Sequence, residues 1–155
     1  MIIEMENNLE KFDIWFIHLL RKISMPIARL ALFTVFFWFG ILKIFGTSPA
    51  NPMVADLLHA TMPFMDWNVF IVLFSIYEML IGITFLIPRL ERLAIALLVP
   101  HMIMTGLPLI FLPDMTWQGF FIPTLEGQYI LKNLVIIALA VGIAAHLYPL
   151  KRKNK

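Results

Sequence analysis

Four apolar runs of about twenty residues each set the limits on what this chain can fold into; they lie near 28–46, 67–87, 93–112 and 129–148. A helix needs roughly 20 residues to cross a hydrocarbon core of ~30 Å. In lipid, only a helix or a closed barrel satisfies its own backbone hydrogen bonds. The alternating apolar–polar pattern of a membrane β-strand is absent from the sequence. The expectation is an all-α membrane protein, a four-transmembrane-helix bundle. Composition agrees, with 61% hydrophobic and only 14% charged residues among 155. Soluble chains carry about 25% charged residues, and a soluble fold this small cannot cover so much apolar surface with polar atoms.

Orientation follows from Lys and Arg. Lys11, Arg21, Lys22 and Arg29 flank the start of the first run, Arg89 and Arg92 link the second to the third, and the chain ends KRKNK. The segments 47–66 and 113–128 contain neither residue type. Basic loops stay in the cytoplasm, so both termini are predicted there. The acidic start, MIIEMENNLE, lacks the pattern of a cleavable signal, and the first run is expected to act as an uncleaved anchor. Trp67, Trp117, Tyr129 and Tyr148 fall near predicted interfaces, where amphipathic rings settle.

Two further helices are expected outside the spans. In residues 8–24, Leu9, Phe12, Phe16, Leu19 and Ile23 recur at helical spacing, with charges on the other faces. This predicts an N-terminal amphipathic interfacial helix on the cytoplasmic leaflet. The chain then divides into that helix (1–26), a transmembrane domain (27–150) and a basic tail (151–155). In the outer loop 47–66, Asn51 is a candidate N-cap with Pro52 at the first helical position. Both outer loops are read as a lid.

Some functions are excluded early. The net charge of +2 and the scattered basic residues argue against nucleic acid as a partner. With no Cys, thiolate catalysis, disulfides and Cys-ligated metals are ruled out. No metal site and no catalytic group is assigned, and the chain is not expected to be an enzyme on its own.

The polar residues inside the spans carry the functional reading. Lys43 and Lys132 each lie three residues from a predicted outer boundary, ~5 Å deep, where long stems can snorkel to water. Glu78 lies ~16 Å below Trp67 and His101 ~14 Å from Arg92, both near the midplane and level with Trp38. A central carboxylate costs about 2.5–3.5 kcal/mol on insertion, so Glu78 must be protonated, paired or facing a wet cavity. Trp38, Lys43, Glu78, His101 and Lys132 are therefore the candidate ligand-binding residues. They are predicted to line a polar cavity that opens outward between the first and fourth spans. Depth alone puts Glu78 ~10 Å below the two lysines, a gap for water or a ligand to bridge. Pro100 and Pro108 are expected to bend the third helix. Ala138, Gly142 and Ala145 form a small-residue stripe suited to helix packing. His18, His59 and His146 fall near interfaces and are given no role.

The order of these residues resembles a known pattern. Arg29 opens the first span, Gly40-x-x-Lys43 lies near its outer end, Glu78-x-x-x-Gly82 sits in the second, and Gly127 then Lys132-Asn133 open the fourth. This resembles the DoxX-like superfamily, in the branch near the YkgB and RclC inner-membrane proteins, over roughly residues 25–150. The resemblance implies a multi-pass protein of the bacterial inner (cytoplasmic) membrane. It also implies a link to quinone-coupled oxidation or to oxidative stress. Relatives carry Asp after the fourth-span Lys where this chain has Asn133, so Glu126 or Glu78 is the expected substitute partner for Lys132.

Three functions compete. The first is a redox accessory that binds a quinone-like cofactor or other lipophilic ligand, since a carboxylate and an imidazole can bond quinone oxygens while an indole stacks on the ring. The second is a non-enzymatic scaffold or subunit of a larger complex, with the polar residues joining helices. The third is a small transporter, which would need oligomers to form a path. Membrane lipids are partners in each, with a redox partner subunit or a homo-oligomer as the further candidates.

Overall fold

The computed structural model describes residues 2–147, with side chains from residue 8 onward. Within it, four helices are long and apolar enough to cross a membrane: Asn8–Ile44, Trp67–Leu86, Glu91–Phe111 and Leu125–Ala144. The fold is an all-α four-helix membrane bundle.

Helix α1 runs unbroken from Ile2 to Ile44, 43 residues or about 65 Å, twice the depth of a bilayer core. The predicted amphipathic segment and the first span are thus one helix, and Pro26 sits inside it. Proline removes one backbone donor there without ending the helix. Along the stripe of the N-terminal half, Leu9, Phe12 and Phe16 are exposed among the described residues, and Leu19 and Ile23 are half-buried. The tail 151–155 and Tyr148 lie outside the described residues.

Helix α2 (Asn51–Thr61) follows, then α3 (Trp67–Leu86), α4 (Glu91–Gly106), the short α5 (Pro108–Phe111) and α6 (Pro113–Thr116), and finally α7 (Leu125–Ala144). Asp66 caps α3 by accepting from the backbone N–H of Asn68 and Val69, which fixes its start at Trp67 as expected. The third span passes through Pro100 and breaks at Leu107, just before Pro108. Helix α7 begins at Leu125, four residues before the apolar run suggested, because Thr124 caps it by accepting from Gly127 N–H. Between α6 and α7 lies an antiparallel hairpin, β1 (Trp117–Gly119) with β2 (Ile122–Pro123). Strands of two or three residues are too short to leave a period-2 signal in a sequence.

Helical phase explains the core. Arg29, Leu32, Phe36, Gly40 and Lys43 recur at steps of three and four along α1. Ile71, Ser75, Glu78, Gly82 and Phe85 do the same on α3, and Glu91, Ala94, Leu98 and His101 on α4. Each set makes one stripe, and the stripes meet. Leu32 and Phe36 pack with Ile81 and Phe85, Ala94 and Leu98, and Ala140 and Ile143 of α7.

Two glycines set how closely α1 and α3 cross. A Cβ at Gly40 would stand 2.9 Å from the Ser75 carbonyl oxygen, and one at Gly82 would stand 3.0 Å from Phe37 N and 3.1 Å from Phe33 O. The two antiparallel backbones touch at both positions, with Gly40 level with Ser75 and Met79. Backbone atoms cannot rotate aside, so Gly82→Ala is expected to push the helices apart and cost about 1–3 kcal/mol. Gly142 has nothing within 4 Å of its added Cβ, so Gly142→Ala should be neutral or stabilising by up to ~1 kcal/mol. Thermal unfolding of the two variants in detergent checks this; equal shifts would rule out the close crossing.

Candidate intramembrane charge site

The α1–α3 register puts Lys43 one turn above the Gly40 contact, directly over Glu78. Lys43 Nζ donates to both carboxylate oxygens, at 2.9 Å to Oε1 and 2.6 Å to Oε2. The expected ~10 Å gap does not exist. That estimate assumed that α1 and α3 reach the same outer level. Instead α1 stops at Ile44, four residues past the Gly40–Ser75 contact and so below the start of α3. The segment after it forms a roof: Ser48 and Leu58 are buried, and Asn51 Nδ2 reaches back to the Lys43 carbonyl at 3.5 Å. Asn51 is accordingly not the N-cap; Ala50 holds that position, without a side-chain bond. Under this roof Lys43 bends inward to the carboxylate, the opposite of snorkelling.

His101 completes the cluster from α4. Its Nε2 lies 3.5 Å from Glu78 Oε1. Its ring stacks on Phe74 (centroids 5.4 Å apart) and meets the edge of Phe36 at 5.3 Å. Lys43 Nζ also stands 5.6 Å from the centroid of Phe74, within cation–π range. Lys43, Glu78 and His101 are 6%, 4% and 2% exposed. The predicted open cavity is replaced by a closed, ring-walled cluster. A carboxylate facing Nε2 favours the tautomer protonated there. Nδ1 is then an acceptor, and it is buried with no partner among the described residues.

Two expected members are elsewhere. Trp38 is 60% exposed, because it lies two residues from both Phe36 and Gly40, about 200° around the helix from the stripe that faces α3. Lys132 is exposed, with its ammonium 4.7 Å from the Tyr129 centroid. It pairs with neither proposed acid: Glu78 is taken by Lys43, and Glu126 is exposed in the first turn of α7. Asn133 has a structural bond instead, donating to Thr105 Oγ1 at 3.3 Å across the α4–α7 contact.

A second ion pair sits at the other end of the same α1 stripe. Arg29 Nη2 donates to Glu91 Oε1 at the start of α4. Glu91 was not singled out from the sequence. The signal was present: Glu91 shares the α4 stripe with His101, and Arg29 shares the α1 stripe with Lys43. Between the pairs, Tyr77 donates its hydroxyl to the Leu97 carbonyl and ties α3 to α4. Among the described residues no group of three or more His, Asp or Glu could hold a metal ion.

Comparison with known protein families, with curated proteins and with solved structures gives no match.

Breaking one side of a buried pair leaves an uncompensated charge, which costs about 3–5 kcal/mol, whereas replacing both partners with apolar groups can be neutral. Lys43→Met and Glu78→Met are each expected to destabilise by roughly that amount, and the double variant to recover most of it. A double-mutant cycle on unfolding in detergent measures the coupling. Additive single effects would exclude a direct pair.

Proposed function

We propose that this integral membrane protein is a redox or oxidative-stress accessory of the bacterial inner membrane, of the DoxX-like kind. Its Lys43–Glu78–His101 cluster exchanges a proton with a lipophilic, quinone-like ligand. The observation that carries this reading is three contacting ionisable side chains inside the spans, each under a tenth exposed. A charged residue costs about 2.5–3.5 kcal/mol to insert at mid-depth, and intramembrane charges of this kind mark proton relays and ligand sites. Glu78 bridges an ammonium and an imidazole, so a proton can pass between His101 and the carboxylate with Lys43 balancing charge. The unpartnered Nδ1 is the atom left for a ligand hydroxyl to bond. Phe36 and Phe74, rather than the exposed Trp38, supply the flat apolar walls.

One observation favours a second reading, that of a scaffold. Both Glu78 oxygens already accept from Lys43, so the cluster also works as a lock joining α1, α3 and α4. The variant that separates the readings is Lys43→Gln combined with Glu78→Gln. Two amides can still bond each other, so the fold persists while the titrating proton is gone. In a deletion strain challenged with oxidant, the double variant is expected to reach normal membrane levels yet fail to restore growth. Full restoration would sink the proton-handling reading and leave the lock.

The orientation is tested separately. The chain has no native Cys, so single cysteines can be added without background. With cytoplasmic termini, Thr47→Cys, an exposed position, should react with an impermeant thiol reagent in intact cells, and Lys11→Cys should react only after lysis. The reverse pattern would invert the topology.

A further inference from the structure

At the N-terminal end of the bundle, opposite the Lys43 cluster, an open cavity of about 340 Å³ is lined by Met25, Pro26 and Arg29 of α1 and by Leu86 and Pro88 at the end of α3. Its size lies in the range of ligand pockets. It sits where α3 ends and α4 begins, the level at which the headgroups of a bilayer start. Four of its walls are apolar side chains and the fifth is a guanidinium. Glu91 takes one edge of that guanidinium, and Arg29 Nε is buried with no partner among the described residues. The residue after Pro88 is Arg89, exposed and held at φ 77. This left-handed backbone is uncommon for a residue other than glycine. A glycine would close the same turn more cheaply, so the side chain at this corner is the feature the turn does not explain. Lys22, one turn before Pro26 on α1, is exposed as well. Among the described residues, Arg29, Arg89 and Lys22 at this end outnumber the acid Glu91.

We propose that this cavity binds the phosphate of an anionic phospholipid. Arg29 and Arg89 hold the headgroup from α1 and from the α3–α4 corner, and the glycerol and first methylenes lie against Met25, Pro26, Leu86 and Pro88. The charge balance calls for an anion, and the apolar walls call for one with a lipid attached; basic pockets between membrane helices recognise anionic headgroups in this way. A phosphate here also extends the Arg29–Glu91 pair into a chain of alternating charge, bracing α1 against the corner between α3 and α4.

The test uses the delipidated full chain in neutral detergent. Thermal unfolding is followed as phosphatidylglycerol, phosphatidylcholine with the same acyl chains, or glycerol phosphate is added. Phosphatidylglycerol alone is expected to raise the unfolding temperature. Arg89→Gly relieves the backbone and so keeps the fold, while weakening phosphatidylglycerol binding about fivefold, the factor equivalent to roughly 1 kcal/mol per basic residue at an anionic surface. Arg89→Lys keeps the charge and should keep the affinity. Equal stabilisation by phosphatidylcholine, or wild-type affinity in Arg89→Gly, would overturn the proposal. Equal stabilisation by glycerol phosphate would overturn the lipid as occupant in favour of a soluble anion.

Discussion

Gly40 and Gly82 let the backbones of α1 and α3 touch, and the positions of the charges depend on that contact. Once Gly40 lies against Ser75, Lys43 has one acid within reach, Glu78, and the two antiparallel helices are in register. The same register takes Arg29 down to the end of the bundle where α4 begins, next to Glu91. One stripe on one helix thus carries a cation at each end, and each cation meets an acid from a different helix. Between them the stripe is apolar and packs into the core through Leu32 and Phe36.

This arrangement specifies more than it stabilises. Removing two charges from water costs about as much as their attraction returns, so a buried pair is weak evidence for stability. A slip of one turn between α1 and α3, however, would strand Lys43 and Glu78 apart in an apolar interior. The pairs therefore act against wrong registers, in a bundle whose helices gain nothing from hydrophobicity once they are in lipid. His101 adds what register alone does not require: a third ionisable group with a free nitrogen, clamped between aromatic rings. That surplus is the reason to read the cluster as functional.

The helices are not equally held. In the apolar windows of the four spans, 44% of residues are buried for α3 but only 17% for α7. Helix α3 is the centre of the bundle, and α7 packs from one side mainly against α4, with Ala140 and Ile143 in the core. The small-residue stripe of α7 faces outward, with Ala138, Gly142 and Ala145 all exposed. These small side chains are left uncovered by the described residues, because the inward phase of α7 is set by Ala140 and Ile143. Those positions lie two residues from Ala138 and Gly142, or from Ala145, and so nearly opposite.

The four spans were legible in the sequence because membrane insertion depends on length and apolarity, both local properties. That Glu78 needs a partner was legible for the same reason: a carboxylate ~16 Å deep is too costly to leave alone. The identity of that partner was not. Depth counted along each helix treats all spans as starting at one level, and α1 ends below α3 under a roof of its own loop. Lys43 looked like a snorkelling residue for that reason, and Lys132 like its equal. Trp38 was placed by depth when its phase pointed it away. Sequence by itself determined which segments cross the membrane and which residues could not be left alone there. Only the tertiary structure decided which residue answers each charge, because partner choice depends on the register and rotation of one helix against another. Those are set by backbone contact at two glycines far apart in the chain.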